Sequence, residues 1–128
     1  MKYYFSKVVT LSFDDAVEKA MAELKKEGFG VLTDIDVKQT LKKKLDVDFK
    51  KYRILGACNP PFAYKALQVE DKIGTMLPCN VIVQQIDEGQ VEVAAIDPVA
   101  SMQAVPNPAL KDIAEQVQSK LKKVIENI

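Results

Sequence analysis

Apolar and polar positions alternate at two different periods along this chain, and the changes of period mark its elements. From residue 2 to 10 the apolar side chains Tyr3, Phe5 and Val9, with Leu11 just beyond, recur near every second position, which predicts an opening strand. From Ser12 the period lengthens, and Phe13, Val17, Ala20, Met21 and Leu24 share one side of a helix. Ser12 and Asp15 have the spacing of a capping box, with Asp in place of Glu. Gly28 stands where such a helix ends. A second strand is expected at 29–37, with Phe29, Val31, Thr33 and Ile35 on one side. Lys38 to Leu45 reads as a short cationic helix whose Lys42-Lys43-Lys44 run is a solvated face.

Tyr52 to Ala57 predicts a third strand containing Gly56. Pro60 and Pro61 lack N–H groups and fit the first turn of a helix, so a helix over 61–71 starts just after Cys58-Asn59. Strand four is expected at 80–86. Asp87-Glu88-Gly89-Gln90 has hairpin length, and strand five follows at 91–96. Asn107 as N-cap and Pro108 at the first helical position open a last helix, with Leu110, Ile113, Val117, Leu121, Val124, Ile125 and Ile128 on its apolar face. The order is β-α-β4-α, with short helical inserts after strands two and three. It predicts a two-layer α+β fold, residues 1–128 as a single domain, with a mainly antiparallel five-stranded sheet and two main helices on one face.

Composition narrows the chemistry. The 128 residues carry 18 Lys+Arg against 18 Asp+Glu, and they include no His and no Trp. Zero net charge argues against nucleic acid and against an acidic membrane surface as partners. The absence of His removes imidazole acid–base catalysis, Ser-His-Asp triads and His-ligated metal sites. The stretch Met1 to Lys7 has no apolar run of signal-peptide length, and no window is long enough to cross a bilayer, so a cytoplasmic location is expected. Two Cys make no disulfide framework there. No cofactor is expected, and two thiols alone do not make a metal motif, although neighbouring thiols could form a redox disulfide or hold a soft metal.

Charge is unevenly spread. Residues 53–110 hold 9 of the 36 charges, yet all six Pro and both Cys. A segment so poor in charge is either core or faces a ligand or partner. Within it, Cys58-Asn59 ends strand three and Cys79-Asn80 begins strand four. If those strands are antiparallel neighbours, the fold gathers Cys58, Asn59, Cys79 and Asn80 at one edge, and strand five brings Asp97 there too. If they are parallel, the thiols lie apart. Arg53 and Tyr64 border the region: Arg53 could pair with Asp97 or clamp an anion, and Tyr64 could simply pack. A thiol near a helix start is favoured as thiolate, whereas the apolar neighbours Ala57, Pro60 and Pro78 oppose ionisation. The plainer alternative is that both Cys are small buried hydrophobes and both Asn serve turns.

The segments Tyr52 to Pro61 (containing Cys58-Asn59-Pro60-Pro61), Ala63 to Leu67, Ile73-Gly74, Leu77 to Val81, Ala95 to Pro98, and the earlier Gly28 to Val37 resemble the family known as domain of unknown function 302. The resemblance spans nearly the whole chain. It implies a small prokaryotic α+β domain that occurs as a homodimer, and it implies no activity. Three functional readings remain open. One is a binding module for a small anionic or thiol-reactive ligand at the Cys58/Cys79/Asp97 edge. Another is a homodimeric structural or interaction protein without a ligand. The third is a thiol-dependent redox enzyme.

Overall fold

The structure, a computed structural model, describes residues 2–128. Its elements are β1 (Tyr4–Val9), α1 (Phe13–Lys26), β2 (Gly30–Asp36), α2 (Val37–Leu45), β3 (Tyr52–Cys58), α3 (Pro60–Val69), a 3-10 segment (Asp71–Met76), β4 (Cys79–Asp87), β5 (Gln90–Ile96), α4 (Pro98–Ser101) and α5 (Ala109–Glu126). The five strands form one sheet in the order β1-β5-β4-β3-β2, and every neighbouring pair is antiparallel. This is the α+β fold that the periodicities predict. The 3-10 segment and the one-turn helix α4 lack a periodic signature and were not foreseen.

Local signals act as their chemistry requires. Ser12 Oγ accepts from the Asp15 N–H at 3.1 Å and caps α1. At the other end Gly28 takes φ +86°. Its N–H donates to the Lys25 carbonyl at 3.1 Å, and the Phe29 N–H donates to the Leu24 carbonyl at 2.9 Å. Those two bonds are a Schellman termination, and the accompanying apolar contact is the buried pair Leu24 and Phe29. For α5, Asn107 Oδ1 accepts from the Ala109 N–H at 3.1 Å. Pro108 already has helical angles, φ −59° and ψ −24°.

One face of the sheet carries the core. Leu55, Val81, Val83, Val91 and Val93 are fully buried there, against Leu24 of α1 and Leu121 and Val124 of α5. Burying each such side chain contributes roughly 1.5–3 kcal/mol. A smaller cluster of Ala66, Ile73 and Leu110, with Leu77 and Met102 packed on it, joins α3, the 3-10 segment and α5. No helix of the described residues is long and apolar enough to cross a membrane.

The expected common face of Phe29, Val31, Thr33 and Ile35 is corrected. The register shifts between Val31, opposite Ala57, and Thr33, opposite Gly56, so Leu32 is an extra residue in β2. Side chains alternate across a strand, and one inserted residue reverses all that follow. Phe29 and Val31 therefore serve the core, while Thr33 and Ile35 lie on the opposite face.

Candidate functional site

In β3 and β4, Ala57 stands directly opposite Cys79 and Gly56 opposite Asn80. The antiparallel alternative is the one realised, so the end of β3 lies beside the start of β4. Cys58 is one position out of direct opposition to Cys79. Asn59 then turns the chain into α3, whose prolines occupy its first two helical positions. The inner face of α3 packs against α5 and the 3-10 segment. Together with α5 and Pro98 of α4 it leaves a cavity of about 260 Å³, open to solvent on one side.

Small side chains make this space. Ala57, Ala63, Ala66 and Ala114 line it, where larger residues at the same positions would close it. Phe62, Ile113 and Val117 supply much of the remaining wall, and the charged side chains are all elsewhere. Besides the two thiols, Asn59 is the one polar side chain in the lining. It is 8% exposed, and its Nδ2 donates to the Glu27 carbonyl at 3.1 Å. From the sequence, Ala57 reads only as an apolar neighbour of the thiol and Ile113 only as part of the core face of the last helix, and none of the alanines reads as a cavity wall. The legible signal was a run of small residues on the inward side of a helix just after the Cys-Asn pair.

Both thiols are free; Cys79 is buried and Cys58 partly so. Burial, and secondarily the neighbouring Cys58 thiol, push the Cys79 pKa from 9.0 up to about 11. Cys79 is therefore a neutral thiol at pH 7, which makes it a poor nucleophile. The desolvation expected from the apolar neighbours prevails at this residue.

Of the seven residues expected at this edge, Cys58, Asn59 and Cys79 line the cavity, and the other four have different tasks. Asp97 arrives at the same end of the sheet, but its Oδ1 accepts from the Val99 N–H and from Gln118 Nε2, both at 3.0 Å. It caps α4 and ties it to α5. Asn80 is exposed on the helix-free face of the sheet, because consecutive strand residues point to opposite sides. Tyr64, 65% exposed, is on the outer side of α3. Arg53 sits at the opposite end of β3, about 16 Å from Cys58 at 3.3 Å per residue. Its partner is Asp34, not Asp97: Nε donates to Oδ1 at 2.7 Å, and a second guanidinium nitrogen donates to Oδ2. This bond holds the Asp34 carboxyl below its usual range and raises the Arg53 pKa. With Arg53 so placed and no cation in the lining, the cavity offers an anion no counter-charge.

The family model described as "Domain of unknown function DUF302" matches residues 5–128. A search of curated proteins finds no match. Among solved structures, the chain is similar to an uncharacterised conserved DUF302 protein from Bacillus stearothermophilus. The two are 29% identical, with 99% of this chain and 98% of that chain covered, and the TM-score is 0.91.

Proposed function

The chain belongs to the DUF302 family, and from that premise we propose that it is a binding module for a small apolar molecule held in the cavity beside Cys58 and Cys79. The observation that carries this reading is the cavity itself: about 260 Å³, walled by apolar side chains, reachable from solvent and free of charge. Ligand sites are typically concave and mostly apolar, with few polar groups. A cavity of about 150 Å³ takes one benzene. By that measure this one suits a molecule of roughly ten non-hydrogen atoms. An anion would lose its hydration there without compensation, so the occupant is not an anion. Thiol chemistry draws no support from the neutral Cys79. The free thiols suit a reducing compartment such as the cytoplasm.

Indole tests the reading directly. It has nine non-hydrogen atoms, and the chain has no Trp to obscure its fluorescence. Excited where tyrosine does not absorb, it should show a saturable emission change with the wild-type protein. Ala63→Leu, which fills part of the cavity from α3, should weaken that change at least tenfold while the protein stays folded. Failure of indole to bind the folded wild-type protein saturably would sink the proposal.

A second reading, compatible with the first, concerns the helix-free face of the sheet. Ile35, Ile54, Ile82 and Ala94 stand opposite one another across four strands. Two charged residues stand at the register positions of that face: Glu92, whose Oε1 accepts from Gln84 Nε2 at 2.7 Å, and the exposed Asp87 opposite Gln90 at the hairpin end. A second copy of the same face could cover this apolar row in a two-fold symmetric homodimer, with Asp87 at the hairpin end beyond the row.

A further inference from the structure

Asn59 occupies the N-cap position of α3, where an Asn side chain ordinarily accepts a hydrogen bond from the first turn of the helix. It makes no such bond. Instead its Nδ2 reaches back 32 residues to the Glu27 carbonyl at the end of α1. That bond orients the planar amide, since turning it over would set Oδ1 against the carbonyl oxygen. Among the described residues no group donates to Oδ1, and yet Oδ1 is not one of the sealed side-chain atoms left without a partner. Asn59 is 8% exposed and is one of the residues that line the apolar cavity, so an unpartnered amide oxygen with accessible surface stands at its wall. Every other lining side chain is apolar or a thiol, and thiols are weak hydrogen-bonding groups.

Resting on the apolar-cavity reading, we infer that Asn59 Oδ1 is the recognition point of the cavity. Its ligand is then a neutral, largely apolar molecule that presents one hydrogen-bond donor, a hydroxyl or an N–H, at the start of α3. Neutrality follows from the lining. No cation stands ready for a carboxylate or phosphate, the amide oxygen itself repels them, and no carboxylate faces the cavity to hold an ammonium group. A single acceptor in an apolar wall selects by its cost when unmet: a ligand without a donor strips water from Oδ1 and returns nothing.

The test compares indole with benzofuran, which has the same shape but an oxygen in place of the N–H. Indole binding is read from its own fluorescence and benzofuran binding from its displacement of indole. The wild-type protein should bind indole about five- to tenfold more tightly, the effect of one net hydrogen bond. Asn59→Leu should reduce that preference to nearly nothing while both probes still bind. Nitrogen-labelled wild-type protein supplies a reading independent of the variant: the Asn59 side-chain amide resonances should shift with indole and much less with benzofuran. Equal affinities in the wild-type protein would overturn the role of Asn59 and leave the apolar cavity standing. A preference that survives in Asn59→Leu would overturn it likewise. If neither probe binds, the cavity reading fails as well.

Discussion

Gly28 lies so close to Asn59 that a Cβ on it would stand 3.3 Å from Asn59 Nδ2. Two requirements meet at this one position. The backbone takes φ +86°, which L side chains rarely adopt, and the absent side chain leaves room for the amide that reaches the Glu27 carbonyl. Gly28→Ala is expected to cost about 1–2 kcal/mol in denaturant unfolding, largely from the left-handed backbone. It should also weaken indole binding by displacing Asn59. Unchanged binding in a destabilised variant would show that this amide has no part in the cavity.

Gly56 is confined by its neighbour across the β2–β3 pair and by Pro78. A Cβ there would lie 2.1 Å from Thr33 Oγ1 and 2.8 Å from Pro78 Cγ. Thr33 stands opposite it because of the extra residue in β2. Gly56→Ala should therefore cost about 1–3 kcal/mol through overpacking, and Thr33→Ala, which removes the nearest atom, should recover part of that loss. A double-mutant cycle by chemical denaturation measures the coupling, and strictly additive effects would contradict this packing.

The Cys79 thiol has its pKa raised from 9.0 to about 11 by burial. Folding thus favours the protonated form. This contribution is fully present below pH 9 and is lost as the pH climbs toward 11, because the unfolded thiol ionises first. Stability followed across pH 8–11 should fall, and Cys79→Ala should flatten that part of the decline. At pH 7.5, iodoacetamide should modify the partly exposed Cys58 well before Cys79, as peptide mass mapping would reveal. Rapid labelling of Cys79 in the folded protein would contradict its neutral, buried state.

Arg53 and Asp34 join β3 to the edge strand β2 by a two-pronged bond, with side chains 26% and 31% exposed. Its lowered pKa means that Asp34 stabilises the fold above the ordinary carboxylate range, near pH ~4. That contribution fades as the pH drops through the lower value of the folded state. Asp34→Asn is expected to cost only about 0.5–1 kcal/mol at neutral pH, as for partly solvated pairs, and to reduce the acid sensitivity of unfolding. Indole affinity should not change, since the pair lies at the far end of β3. A large loss of binding would place Arg53 back in the site.

The helix-free face makes its own prediction. If a second copy covers it, sedimentation equilibrium should report a dimer at micromolar concentration, and Ile82→Lys, at the centre of the apolar row, should yield monomers of unchanged fold. A wild-type monomer at that concentration would rule out this assembly.

Most of the element plan could be read along the chain, because its signals are local. Ser12 caps α1, Gly28 ends it, and Asn107-Pro108 opens α5, all through bonds spanning a few residues. The charge-poor segment 53–110 also proved informative: it supplies β3, β4 and β5, the three interior strands, and most of the cavity wall. Long-range placement was less legible. The meeting of Cys58 with Cys79 depended on an antiparallel register that the sequence left open, and the Asn59 bond to Glu27 spans 32 residues.

What the sequence by itself determined was the succession of strands and helices, their caps, and the absence of imidazole chemistry, since these rest on residue identity and short-range periodicity. Tertiary structure alone decided that Leu32 would be an extra residue, that Arg53 would take Asp34, and that alanines on β3, α3 and α5 would converge on one empty space. The physical reason is that a cavity is a property of several packed surfaces at once. No local pattern records the volume that distant side chains fail to fill.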